Sequence, residues 1–161
     1  MDPTDRKLLA LLKENAAQRY ADLSERLHLS VPAIHERVKK LRARGVIRRT
    51  TVELDPVSVG LPLCAFVHVD PGDTWGPIAQ EALRAMPEIE EVHSVTGDTG
   101  LILKVRTAGP EALESLLRRL YKIEGVQRTK TYTVLRSYIE RGPDPLLAGE
   151  GDQETGRPQS G

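Results

Sequence analysis

The chain has 161 residues, 39% of them hydrophobic and 29% charged, an ordinary composition for a globular protein. No apolar run approaches the roughly 20 residues that cross a bilayer, the first residues lack the pattern of a secretory signal, and the single cysteine excludes an intrachain disulfide, so a cytoplasmic protein is expected. The formal net charge of zero hides an asymmetry: residues 1–50 carry +6, residues 51–140 carry −4 and residues 141–161 carry −2, which suits only the N-terminal third to a polyanion.

Thr4 or Asp2 can cap a first helix over Asp5 to Glu14, where Leu8, Leu9, Leu11 and Leu12 recur at helical spacing. A second helix is expected over Ala21 to Leu27 with Leu23 and Leu27 inward. Ser30 then caps a third, which bears Ile34, Val38 and Leu41. The connection His28-Leu29-Ser30 has the length that sets two helices at the steep angle of a helix-turn-helix. Glycine would be easiest at position 28 if the turn needs positive φ, although histidine tolerates that region better than a β-branched residue. Gly45 stops the third helix, and Val46 to Leu54 reads as an extended wing or linking strand carrying Arg48 and Arg49. Asp55-Pro56 and Gly60-Leu61-Pro62 mark residues 55–62 as a hinge, which delimits a first domain over residues 1–54.

Beyond the hinge, Leu63 to Asp70 reads as a strand with Cys64 as a packing residue inside its apolar run. Thr74 to Pro77 opens a helix whose Ile78, Ala82, Leu83 and Met86 face one way. Glu91 to Thr96 is a second strand, Gly97 to Gly100 a turn, and Leu101 to Thr107 a third strand. Pro110 begins a helix with Leu113, Leu116, Leu117 and Leu120 inward, and Val126 to Ile139 supplies a long last strand. The predicted class is therefore α+β, an N-terminal winged helix-turn-helix followed by a ferredoxin-like β-α-β-β-α-β domain over residues 63–140. Two helices cover one face of such a sheet. Ala65, Val67 and Val69, with the alternation along Thr129 to Val134, suggest that the other face is apolar enough to need a partner, and a homodimer answers that need. Residues 141–161, rich in glycine and proline, read as a disordered tail.

Ser30 to Arg44 carries the chemistry of the first domain. With Ile34, Val38 and Leu41 buried, Pro32, Ala33, His35, Glu36, Lys39 and Lys40 turn to solvent, the layout of a helix that enters the major groove of double-stranded DNA. Ser30 or the free N–H groups beside it suit a phosphate. Lys39, Lys40, Arg42, Arg44, Arg48 and Arg49 would supply the sequence-independent, salt-sensitive attraction. An ordinary solvated basic helix is the competing explanation, and the short turn, the helix order and the charge split together favour DNA.

The run Leu23-Ser24-Glu25-Arg26-Leu27-His28-Leu29-Ser30, followed by Val38-Lys39-Lys40-Leu41, Gly45-Val46-Ile47, Leu54-Asp55-Pro56, Gly60, the Phe66-containing strand and Val95-Thr96-Gly97-Asp98, resembles the Lrp/AsnC family of feast/famine regulators over about residues 2–140. The resemblance implies that the second domain is a RAM-type domain that senses ligands and builds dimers through its sheet, often in higher assemblies, with amino acids or related metabolites as effectors. It also implies that Gly97, Asp98, Thr99 and Gly100 lie near the effector. Three positions depart from the family pattern. Gln18-Arg19-Tyr20 stands where a Ser or Thr cap is common, His28 stands where glycine is common, and Gly97-Asp98-Thr99-Gly100 replaces Gly-Asp-Tyr-Asp. The last change removes an aromatic ring and one carboxylate that could pair with an ammonium group. A tight hairpin turn explains the same four residues without any ligand.

No catalytic role, cofactor, metal site or membrane association is expected. The four histidines, His28, His35, His68 and His93, lack metal-ligand spacing, and no phosphate-binding glycine loop or nucleophile elbow is present. Two alternatives to a regulator remain. Sirohaem decarboxylases share the architecture, but their Arg-Arg-Glu-His-x-Tyr-Asn segment has no counterpart in Ser94 to Leu101. A partner protein that senses a metabolite without touching DNA would leave the +6 N-terminal charge unexplained.

Overall fold

The three leucine-bearing segments form helices α1 (Pro3–Glu14), α2 (Tyr20–Leu27) and α3 (Val31–Ala43) in a computed structural model of the chain, which describes residues 1–73 and 75–147. Helix α1 starts two residues before the expected point because Asp2 and Asp5 cap each other. The Asp2 carboxylate accepts from the Asp5 N–H at 2.6 Å, and the Asp5 carboxylate accepts from the Asp2 N–H at 3.3 Å. At the start of α2, Arg19 makes no side-chain cap and pairs instead with Asp22 at 3.0 Å. Gln18 ties this connection to α1 by donating to the Leu11 carbonyl at 2.7 Å.

His28 adopts the left-handed conformation, φ 54° and ψ 43°, and the Leu29 N–H returns to the Ser24 carbonyl at 3.0 Å, closing α2 in the usual manner of a left-handed helix stop. Ser30 caps α3 by accepting from the Ala33 N–H at 3.3 Å. Leu8, Leu23, Ile34, Val38 and Leu41 form the buried centre of the three helices, with Leu9, Leu11, Leu12, Tyr20, Leu27, Leu29 and Ile47 packed around it. Residues 48–54 have no regular secondary structure, and no strand forms over Val46 to Leu54, since no second segment among the described residues pairs with it. Residues 55–61 form a turn rather than a loose connector. The Asp55 carboxylate accepts from the Ser58 N–H at 3.0 Å and the Leu61 N–H reaches the Pro56 carbonyl at 2.8 Å.

The rest of the chain follows the order β1 (Leu63–Pro71), α4 (Pro77–Arg84), β2 (Ile89–Ser94), β3 (Leu101–Thr107), α5 (Pro110–Leu120) and β4 (Val126–Thr133). The sheet order is β2-β3-β1-β4 with every neighbouring pair antiparallel, the β-α-β-β-α-β arrangement predicted from the sequence. Ala65, Val67, Val69, Leu101, Leu103 and Val105 pack with Ala79 and Leu83 of α4 and Leu113, Leu116 and Leu120 of α5. Ala65, Val67 and Val69 therefore belong to this core and not to the helix-free face. Because side chains alternate along a strand, that face takes the other set, including Phe66 and His68 of β1, Ile102 and Lys104 of β3, and Lys130 and Tyr132 of β4.

Three further expectations change. Ile78 is 87% exposed, and the inward stripe is made by Trp75, Ala79, Ala82, Leu83 and Met86. Strand β2 begins two residues earlier than predicted and shifts register between Ile89 and Glu91. Strand β4 stops at Thr133, because β1, its only neighbour in the sheet among the described residues, begins at Leu63 and offers its last bond through the Cys64 carbonyl to the Val134 N–H at 2.9 Å.

By their contacts the residues divide into two units, Met1–Val52 with the segment from Glu140, and Glu53–Ile139. The segment after Glu140 differs from the predicted disordered tail: Lys13 donates to the Gly142 carbonyl at 2.9 Å and Arg6 to the Pro145 carbonyl at 3.1 Å, which lays it along α1. Thr74 and residues 148–161, the remainder of the predicted tail, lie outside the described residues. Among the described residues no helix is long and apolar enough to cross a membrane.

Candidate nucleic-acid interface and effector loop

Helix α3 turns about 100° per residue, so burying Ile34, Val38 and Leu41 fixes where every other side chain points. Pro32, His35, Glu36 and Lys39 are exposed on the side away from the core, with Lys40 beside them. Half-buried Ala33, and Arg37, Lys40 and Arg44, line a cleft shared with Asp2 and Asp5 at the start of α1. Arg48 and Arg49 follow in the irregular segment after α3 and are exposed. Among the described residues Lys39, Lys40, Arg42, Arg44, Arg48 and Arg49 make no ion pair, so their charges are not neutralised by neighbouring acids.

The start of α3 offers fewer free donors than a bare helix end. Ser30 takes the Ala33 N–H and Pro32 has none, so of the first helical residues only Val31 keeps a backbone donor that the cap does not use.

Two residues not singled out from the sequence join this surface. The Tyr20 ring meets the His35 imidazole edge-on at a centroid distance of 4.4 Å, so the first residue of α2 flanks the exposed face of α3. Arg37 reaches the other way. Its Nη1 lies 2.6 Å from the Asp2 carboxylate and 2.7 Å from that of Asp5. The hydrogen bond from Arg37, helped by the Asp5 N–H, holds the Asp2 carboxyl below its usual value of 3.8. The sequence signal was present, an acid at each end of a capping box plus an arginine on the flank of α3, but which flank met α1 required the packed helices.

In the second unit, Gly97 to Gly100 belong to the connection between β2 and β3, closed by the Val95 N–H on the Gly100 carbonyl at 3.0 Å. It is longer than a two-residue hairpin turn. Gly97 has φ 134°, a conformation that favours glycine. The Thr99 hydroxyl donates to the Val69 carbonyl at 2.9 Å. A Cβ on Gly100 would lie 2.5 Å from Pro71 Cδ, so this residue is small because the end of β1 presses on it. Thr99 and Gly100 thus anchor the loop, and Gly97 and Asp98 are presented to solvent.

The neighbourhood of Asp98 is polar and of both signs. Lys130 stays protonated to higher pH than usual, mainly through its contact with the Tyr132 hydroxyl and to a smaller degree through the charge of Asp98. Arg128 pairs with Asp70 at 2.8 Å; this pair, with the Thr99 hydroxyl behind it, lowers the Asp70 pKa. His68 stands 5.0 Å from Tyr132, ring to ring. Of the four loop residues marked from the sequence, Asp98 alone brings a charged side chain. Asp70, Arg128, Lys130 and Tyr132 were not marked, since only the pairing of β1 with β4 brings them beside the loop. Among the described residues no group of three or more His, Cys, Asp or Glu side chains is placed to hold a metal ion.

Residues 1–48 match the family described as winged helix-turn-helix DNA-binding, and residues 64–144 match the Lrp/AsnC ligand binding domain. The HTH-type transcriptional regulator FL11 of Pyrococcus horikoshii is 33% identical over 147 residues, covering 91% of this chain and 97% of its own. Among solved structures, the transcriptional regulator NMB0573 of Neisseria meningitidis, in its complex with L-methionine, superposes with a TM-score of 0.84 at 31% identity, over 92% of this chain and 98% of that one. A feast or famine regulatory protein of Mycobacterium tuberculosis, also complexed with L-methionine, gives a TM-score of 0.80 at 34% identity, over 86% and 95% of the two chains.

Proposed function

Since this chain belongs to the Lrp/AsnC family of DNA-binding transcriptional regulators, we propose that it reads its operator with α3 and senses an amino acid through the second unit. The carrying observation is the state of α3: its apolar stripe is buried, its start is capped by Ser30, and its exposed face ends in cations without acidic partners among the described residues. Pro32, Ala33, His35 and Glu36 are the base-facing candidates. Lys39, Lys40, Arg44, Arg48 and Arg49 serve the phosphate backbone, with Ser30 at the helix start.

A second copy of the chain docks on the helix-free face of the sheet, where Phe66 is 39% and Tyr132 46% exposed, and dimers assemble further. Two-fold symmetry then sets half-sites in major grooves on one side of the duplex, about 10 base pairs or a multiple of it apart. The effector contacts Asp98, with Gly97, Thr99 and Gly100 shaping the loop that presents it. L-methionine is the first ligand to try, since it is bound in two of the similar structures. A carboxylate at Asp98 suits the ammonium of an amino acid, while Lys130 and Arg128 nearby suit its carboxylate. Such a protein works in the cytoplasm as a regulator and not as a catalyst.

The test is selection of bound genomic fragments by the purified protein at near-physiological salt, with and without an amino-acid pool. A two-fold symmetric motif whose recovery changes with the pool is the expected result. Recovery of unrelated fragments in proportion to their abundance at that salt would overturn sequence-specific reading by α3.

A further inference from the structure

Cations on a groove-facing helix ordinarily serve phosphates, but Arg37 is committed elsewhere. One guanidinium nitrogen bridges Asp2 and Asp5 at 2.6 and 2.7 Å, and its side chain is only 30% exposed. The acceptors are themselves fixed. Asp5 is 9% exposed, and both carboxylates are bound into the reciprocal cap of α1, which ties their positions to the start of that helix. Arg37 lies one turn from Ala33 and from Lys40, along the same edge of the helix.

We propose that the Arg37 bridge to Asp2 and Asp5 sets the rotation of α3 about its own axis, and so acts as a positioning element for sequence discrimination. This rests on α3 being the reading helix. Burial of Ile34, Val38 and Leu41 holds the helix against the core, but apolar contact is non-directional and tolerates a roll. Side chains reach about 6 Å from a helix axis, so a roll of about 20° moves a tip by about 2 Å. Base-edge hydrogen bonds span only about 2.7–3.2 Å and do not survive such a shift. A charge-assisted bridge to two carboxylates on another helix supplies the missing directional restraint.

The experiment compares wild type with Arg37→Met, Arg37→Lys and Asp2→Asn in the full chain. Binding is measured to the motif recovered by selection and to a scrambled duplex of equal length, well below each protein's melting temperature. The readout is the ratio of the two affinities, in which any uniform repulsion from the uncovered carboxylates, and any loss of folded protein, cancels. Arg37→Met should lower this ratio by about tenfold, as for one mis-set base contact, with Arg37→Lys recovering much of it. Asp2→Asn should give an intermediate loss, because asparagine keeps the cap but removes one of the two charges. Equal ratios for wild type and all three variants overturn the positioning role while leaving α3 as the reader. A wild-type ratio near one overturns the reading by α3 itself, and this inference with it.

Discussion

Asp2 does two things at once: one oxygen caps α1 through the Asp5 N–H, and the other meets Arg37. Both contacts favour the ionised carboxylate, which is why its pKa is lowered. A lowered folded-state pKa contributes stability that is fully present above the usual value of 3.8 and is lost as pH falls through the folded value. The first unit should therefore melt at progressively lower temperature as pH drops below that value. Asp2→Asn should show a smaller drop over the same interval, since its amide still caps but no longer titrates. Melting followed by circular dichroism across that range checks this, and parallel curves for both proteins would remove Asp2 as a source of the acid sensitivity.

At the scale of elements, α3 carries Lys39 and Lys40 side by side, both exposed. If both meet phosphates, Lys39→Ala with Lys40→Ala should weaken binding to every sequence and reduce the slope of log affinity against log salt by about 2. Titrations at several salt concentrations test it, and an unchanged slope would take both lysines out of the phosphate interface. The β2–β3 connection is governed by sterics. An alanine at position 100 must push on the rigid Pro71 ring, whose Cδ would be 2.5 Å away, so Gly100→Ala should cost about 1–3 kcal/mol and shift the loop that presents Asp98. Chemical denaturation of the two proteins measures that cost; equal midpoints would mean that the ends of β1 and β3 slide apart freely.

The same elements show what a sequence can and cannot carry. Periodicity placed α1, α2, α3, β1, β3 and α5, and the three-residue connection ending in the Ser30 cap marked the turn between α2 and α3. Strand alternation, by contrast, separates two faces without saying which one the helices cover, so Ala65, Val67 and Val69 were assigned to the wrong side. A helix stripe of about 100° has two flanks, and Ile78 sat just beyond the wrong one. Strand β4 ended where its partner ended, a fact held in β1 and not in residues 134–139. Arg37 looked like any other cation until α1 and α3 were packed together.

For the whole molecule, the central fact is that the two hydrophobic cores have no residue in common. One is centred on Leu8, Leu23, Ile34, Val38 and Leu41, the other on Val67, Leu103, Val105, Leu116 and Leu120. Each unit is therefore expected to melt in its own transition, and the proposed tasks divide the same way, DNA contact in the first and assembly with effector binding in the second. Leu8→Ala and Leu103→Ala each remove a fully buried leucine, at a cost of about 2–5 kcal/mol. Calorimetry should show each substitution lowering one transition and leaving the other in place. The functional consequences should differ too. Leu103→Ala should shift sedimentation toward smaller species and weaken operator binding through loss of paired helices, whereas Leu8→Ala should keep its assembly size at temperatures where its DNA affinity has already gone. If either leucine lowers both transitions equally, the cores unfold as one body, and an effector bound to the second unit would stabilise the DNA-binding helices directly, without any change of assembly.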